Sequence, residues 1–194
     1  MSTPAEETGL GDWSPTDVVD LLKAGASMRG AVYGPMSEVV HNSLQYLTDA
    51  DVHAMSVYLR TLPEHRDTSG ADVRGALRVT ASVLARGHSI YEAQCKSCHL
   101  GNGEGQPPGY PPLAQNQSIE MSSAVNPIRM VLNGGYPPQT AGNPRPYGMP
   151  PFAQILSDAD IAAVVTYIRV SWGNHGQPIT IEEVNMLRSA ALLD

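Results

Sequence analysis

Cysteine is nearly absent from this chain: two residues in 194 leave no multi-bridge disulfide framework and no four-cysteine zinc site. Aromatic residues are scarce too, with one Phe and two Trp, so ring packing contributes little to any core. Basic residues are outnumbered, 12 Lys and Arg against 19 Asp and Glu, for a formal net charge of −7. That balance argues against a nucleic-acid partner, whose phosphates it would repel, while ordinary solubility accounts for an acidic surface and a basic protein partner is permitted. No apolar run approaches the length of a membrane span, and no charged segment followed by an apolar one opens the chain as an export signal would. What the sequence has in quantity is Gly and Pro, 18 and 16, which imply many turns and long irregular connections. The length suits one domain or two small ones, and 42% hydrophobic residues suffice for a core.

Both cysteines fall in one run, Cys95-Lys96-Ser97-Cys98-His99. This is the attachment pattern of a c-type haem: each thiol adds across a porphyrin vinyl group, and the adjacent imidazole reaches the iron from the same side. A zinc site would need further ligands, and a redox dithiol would follow a strand, whereas the residues before Cys95 have helical spacing. Apolar positions at Leu77, Val79, Val83, Leu84 and Ile90 predict a helix from Val73 to Gln94, interrupted by Gly87. One covalent haem c is therefore expected, with Cys95 and Cys98 as attachment residues and His99 as an axial ligand. Haem c is attached outside the bacterial inner membrane or in equivalent organelle spaces, so a mature form or a fragment of a longer chain is expected.

Two segments repeat at a constant offset of 109 residues. Leu156-Ser157-Asp158-Ala159-Asp160-Ile161, continuing to Tyr167-Ile168-Arg169, matches Leu47-Thr48-Asp49-Ala50-Asp51-Val52, continuing to Tyr58-Leu59-Arg60. Each opens with a Ser or Thr N-cap and acids in the first turn, followed by an apolar helical stripe: Ile161, Val164, Val165 and Ile168 in one, Val52, Met55 and Leu59 in the other. Upstream, Ile128, Val131, Leu132 and Gly134-Gly135 resemble Val18, Leu21, Leu22 and Gly25. A methionine flanked by Gly and Pro lies between the helices of each copy, Met149 in one and Met36 in the other. The haem motif occurs once. Residues 1–62 therefore read as the methionine-side half of a second, incomplete haem domain, residues 63–71 as a linker, and residues 72–194 as a complete one; the fold class is all-α.

Met149 is the best-placed sixth ligand, 50 residues after His99 in a loop stiffened by Pro150-Pro151. Met36, Met121, Met130, Met186 and the remaining histidines stay as alternatives, with Met121, Met130 and Met186 lying in helical patterns that suit packing. The carbonyl of Pro111 or Pro112 is a candidate acceptor for the second ring N–H of His99, with Leu113 packed on the porphyrin. Tyr110, Arg129, Tyr147 and Trp172 are candidates to bond or cover propionates. The Gly-x-Gly-x-Gly run at 101–105 lacks the strand-turn-helix setting of a phosphate loop.

Taken together, Ile90 to His99, Tyr110-Pro111-Pro112-Leu113-Ala114, Met149-Pro150-Pro151-Phe152 and Trp172-Gly173-Asn174 to Thr180 resemble the last haem domain of the cytochrome c subunits of membrane-bound alcohol and gluconate dehydrogenases. Residues 9–62 resemble the end of the domain before it. The resemblance implies an electron carrier and no catalytic residue of its own. It also implies a quinoprotein or flavoprotein dehydrogenase as donor, a respiratory-chain acceptor, a bacterial periplasmic location and room for peripheral membrane association, with His99 and Met149 as iron ligands. Those subunits carry three haems in tandem; this chain has one attachment motif. The alternative is a haem enzyme or gas sensor of peroxidase-like character, whose sixth ligand exchanges.

Overall fold

The computed structural model describes residues 10, 13–62 and 79–190; the expected linker and the first residues of the helix expected from Val73 lie outside them. Among the described residues there are helices and no strand, only isolated bridges at Ala26–Ala31 and Gln106–Tyr110, as the all-α expectation requires. The chain forms two compact units. The first comprises Met1–Arg66, Gly105–Pro112 and Gly135–Gly148; the second comprises Asp67–Glu104, Leu113–Gly134 and Met149–Asp194.

In the first unit, α1 (Pro15–Ala24), α2 (Pro35–Asn42), a 3-10 turn (Leu44–Tyr46) and α3 (Asp49–Thr61) enclose a core of Val18, Leu22, Val40, Leu44 and Val52. Ser14 caps α1 in a capping box with Asp17, which satisfies two orphan N–H groups. Gly25 ends α1 at φ 78°, and a Cβ there would lie 2.2 Å from Pro138, so both the left-handed turn and the close approach require glycine. The 135–148 segment is tied to these helices by backbone carbonyls and side chains. Thr140 Oγ1 donates to Ala24 O (3.0 Å), Ser37 Oγ donates to Tyr136 O (3.4 Å), and His41 Nδ1 lies 2.7 Å from Gln139 O. Those interactions, with the close approach of Pro138 to Gly25, join chain that follows the haem motif to the half-domain.

The second unit begins with α4 (Ala81–Ile90), capped by Thr80, which accepts from Val83 N. Among the described residues the helix starts at Ala81, because Thr80 stands at β-region angles and takes up one of the free first-turn amides. It runs through a π segment (Tyr91–Cys95) into α5 (Lys96–His99), and Leu100 at φ 61° stops it. Then follow α6 (Gln117–Glu120), α7 (Val125–Asn133), α8 (Asp158–Val170) and α9 (Ile181–Ser189). Tyr91, Ile128, Leu132, Ile161, Val164, Val165, Ile168 and Val184 form the core around α8, which α4, α7 and α9 all contact. Gly87, expected as an interruption, is where α4 crosses α8: a Cβ there would sit 2.3 Å from Ala163 O and 2.7 Å from Tyr167 Cβ. Its missing side chain sets the helix separation.

Candidate cofactor site

The π segment widens the helix by one residue immediately before the motif. Tyr91, at its start, is fully buried, and its hydroxyl donates to Leu100 O at 2.6 Å, so one side chain spans the motif and holds the residue that follows His99. Burial drives the Tyr91 phenol well above its ordinary pKa and keeps it a donor at every physiological pH. Cys95 and Cys98 are half-buried free thiols. Burial, with Cys98 nearby as the lesser cause, pushes the Cys95 thiol up to about 11, so it rests as the neutral S–H. Cys95 packs on the same apolar cluster as Leu113 and Met149, each partly buried, while His99 is also half-buried.

Met149 is positioned by the end of α7. Gly134 stops that helix at φ 62°, and a Cβ on it would lie 2.2 Å from Met149 O. Immediately afterwards Phe152 N donates to Val131 O (3.0 Å) and Ala153 N to Leu132 O (3.1 Å), so the last free carbonyls of α7 carry the chain that follows Met149. Phe152 is buried in the core, which anchors the loop at that side.

Leu113 is held between two anchors that sequence reasoning did not assign. Its N–H and that of Ala114 both donate to Gly103 O, at 2.7 and 2.9 Å. Buried Asn174 completes the clamp: Nδ2 donates to Leu113 O (2.9 Å) and Ile168 O (2.8 Å), and Oδ1 accepts from Gln115 N (2.6 Å). Arg169 is also fully buried and donates to three carbonyls, Gln177 O (2.7 Å), Ile119 O (2.5 Å) and Met121 O (2.8 Å). The one sequence signal for Arg169 was its identity with Arg60 in the repeat; for Asn174 it was the Trp-Gly-Asn run, which carries no role by itself.

Pro111 and Pro112 fall in the first unit, as do Tyr110 and Tyr147, whose rings lie 5.0 Å apart. Trp172 packs on Tyr91 (4.9 Å) and Tyr167 (5.4 Å) and leaves no room for a Cβ on Gly103, so it serves the core. Met130 and Met186 lie in α7 and α9, but Met121 is the residue that ends α6 and not a helical one. Met36 lies in the first turn of α2, after Pro35, and is 45% exposed. No group of three or more His, Cys, Asp or Glu fit to hold a metal ion occurs among the described residues, and His65 lies outside them.

The donor set of this unit tests well against a covalently held haem: two thiols one helical turn apart, an imidazole directly after them, and a thioether on the apolar cluster against which Cys95 packs. The Cytochrome c family profile matches residues 84–172. Cytochrome c-552 of Thermus thermophilus is 37% identical over 121 residues, which cover 58% of this chain and 80% of that protein. The chain is a member of the cytochrome c family. Among the cytochromes it is similar to, the cytochrome c subunit of the quinone alcohol dehydrogenase of Gluconacetobacter polyoxogenes is 35% identical over 188 residues, which cover 93% of this chain and 40% of the relative. The gluconate 2-dehydrogenase cytochrome c subunit of Pantoea cypripedii is 33% identical over 187 residues, covering 93% of this chain and 42% of the relative. This cytochrome thus spans about two fifths of the length of those subunits. No described helix is long and apolar enough to cross a membrane.

Proposed function

We propose that this cytochrome is an electron carrier that holds one covalent haem c through Cys95 and Cys98, with His99 and Met149 as axial ligands. It would receive electrons from a quinoprotein or flavoprotein dehydrogenase and pass them toward a respiratory-chain acceptor in a bacterial periplasm. The observation that carries the reading is the meeting of Cys95, Leu113 and Met149 on one apolar cluster, with the Cys-x-x-Cys-His helix braced by Tyr91. Bound haem supplies a one-electron ferric–ferrous couple, and methionine thioether ligation raises its potential. The protein's residues do the rest. Cys95 and Cys98 would each hold the haem by adding S–H across a vinyl group, with no net change in electron count. Gly134 and the Val131 and Leu132 carbonyls hold the Met149 loop against α7, and the Gly103–Asn174 clamp fixes Leu113, which excludes water from the apolar side. The donor and its location are supported by the subunits named above and by the haem-attachment motif.

The test is haem stoichiometry by denatured pyridine haemochrome on protein matured in a periplasm, with the far-red sulfur-to-iron band recorded before and after Met149→Ala. One haem per chain and a band lost in the variant is the expected result; a band that survives places the sixth ligand elsewhere. The alternative of an exchangeable sixth ligand predicts rapid carbon monoxide binding by the ferrous protein at neutral pH, and the carrier reading predicts none.

A further inference from the structure

Residues 135–148 belong to the first unit, while Gly134 before them and Met149 after them belong to the second. The two ends of this strap are closed. A Cβ on Gly134 would lie 2.2 Å from Met149 O, and one on Gly148 would lie 2.3 Å from the Tyr136 ring. A segment of this length with its ends together is an Ω-loop, and its tip swings unless something fixes it.

Here the tip is fixed on the half-domain. Pro137, Pro138 and Thr140 are buried. Pro138 occupies the space left by the missing side chain of Gly25, and a Cβ on Gly142 would lie 2.8 Å from Ala24 Cβ, so the tip straddles the end of α1. Thr140 Oγ1 donates to Ala24 O (3.0 Å), one of the carbonyls that a helix end leaves without an internal partner. The same hydroxyl accepts from Asn143 N (3.0 Å), and Thr140 N donates to Asn143 O (3.1 Å), which closes the turn at the tip. On α2, Ser37 and His41 meet the carbonyls of Tyr136 and Gln139.

We infer that the half-domain is a positioning element for Met149: α1 and α2 hold the strap through Thr140, and the strap holds the chain that delivers the methionine sulfur. The inference rests on Met149 ligation as proposed above. The chain after Met149 is fixed by Phe152 and Ala153 on α7, and the chain before it by the strap. Met149 stands between two anchors, and releasing either one lets the thioether leave more often. Thr140 touches neither haem nor methionine and acts through the strap alone. The half-domain thereby has a role that needs no attachment motif of its own.

The test measures imidazole binding to the oxidised, haem-loaded full chain. Imidazole enters only molecules whose methionine has left, so its apparent affinity rises with their fraction. Thr140→Val is expected to raise that affinity about fivefold, the effect of one lost hydrogen bond, and Thr140→Ser to restore it. Gly142→Leu, which drives the tip off Ala24, is expected to raise it at least as much. Thr180→Val removes a cap of similar worth from α9, away from the strap, and should leave it unchanged. Met149→Ala in the same assay separates the two readings. If the far-red band survives Met149→Ala, the ligation reading fails and the inference falls with it. If that band is lost while Thr140→Val or Gly142→Leu stays within about twofold of wild type, ligation stands and the inference alone is overturned. An equal rise in Thr180→Val overturns it too, because the effect is then a general loosening.

Discussion

Across the same 13 helical positions, α8 buries eight residues and α3 buries two. The capping, the first-turn acids and the closing Tyr-x-Arg are shared, so local sequence cannot be what separates them. The difference lies in neighbours: α8 is enclosed by α4, α7 and α9, while α3 packs mainly on α1. Val164 and Val165 in α8 correspond to Met55 and Ser56 in α3, which shows how a residue that must fill a closed core becomes a looser or polar one when the surroundings thin out. The helix is specified locally, and its burial is specified by what else the chain brings to it.

Substitutions at matched positions sharpen this contrast. The largest effect is expected at the helix crossing: Gly87→Leu should cost about 3 kcal/mol in urea unfolding of the haem-loaded protein, because its side chain must displace the Ala163 backbone. Ala54→Leu, on the uncovered copy, should stay within about 0.5 kcal/mol. Equal losses would mean that α3 is covered after all. Next, Arg169→Met should cost about 2 kcal/mol by leaving buried carbonyls of Ile119 and Met121 without a donor, whereas Arg60→Met should be near neutral. Tyr91→Phe should cost about 1 kcal/mol and is best read as a lower midpoint for loss of the far-red band with alkali, since the brace on Leu100 is gone.

The smallest effect concerns acid. The Ser157 hydroxyl, aided by Arg86, holds the Asp160 carboxyl below its ordinary value of 3.8, and Asn185 and then Arg188 do the same for Asp158. A depressed carboxylate contributes stability that is fully present above the unfolded value and is lost as pH falls through the lower folded one. Asp160→Asn and Asp158→Asn should therefore lower stability at pH 7 and approach wild type only as the pH falls below the ordinary carboxylate range, seen as a flatter acid limb in thermal melts.

Much of this was readable from residues alone. The repeat predicted both helices at one offset, and the structure gives them identical bounds shifted by 109. The caps were legible because Ser, Thr and Asp act over three residues of backbone. Gly87 was misread as a break, since a glycine demanded by a helix 76 residues away looks locally like poor helix propensity. The same holds for Asn174 and Arg169, whose partners are backbone carbonyls, and carbonyls leave no mark in a sequence. Nor does any composition signal announce that 105–112 and 135–148 belong with the first unit; that grouping rests on hydrogen bonds such as those from Thr140 and Ser37.

The π segment at Tyr91–Cys95 also constrains how this sequence can change. One residue in a helix corresponds to about 100° of rotation. The π turn spreads five residues over about the rotation that four take in an α-helix, so deleting Glu92, Ala93 or Gln94 would restore a regular α-helix and leave Cys95, Cys98 and His99 on the side of the axis they occupy now. Deleting a residue from the regular turn between Gly87 and Tyr91 would instead swing the motif about a quarter-turn, away from the cluster on which Cys95 packs with Leu113 and Met149. A reader scanning for Cys-x-x-Cys-His would find both variants intact, and only one of them would keep the motif's orientation.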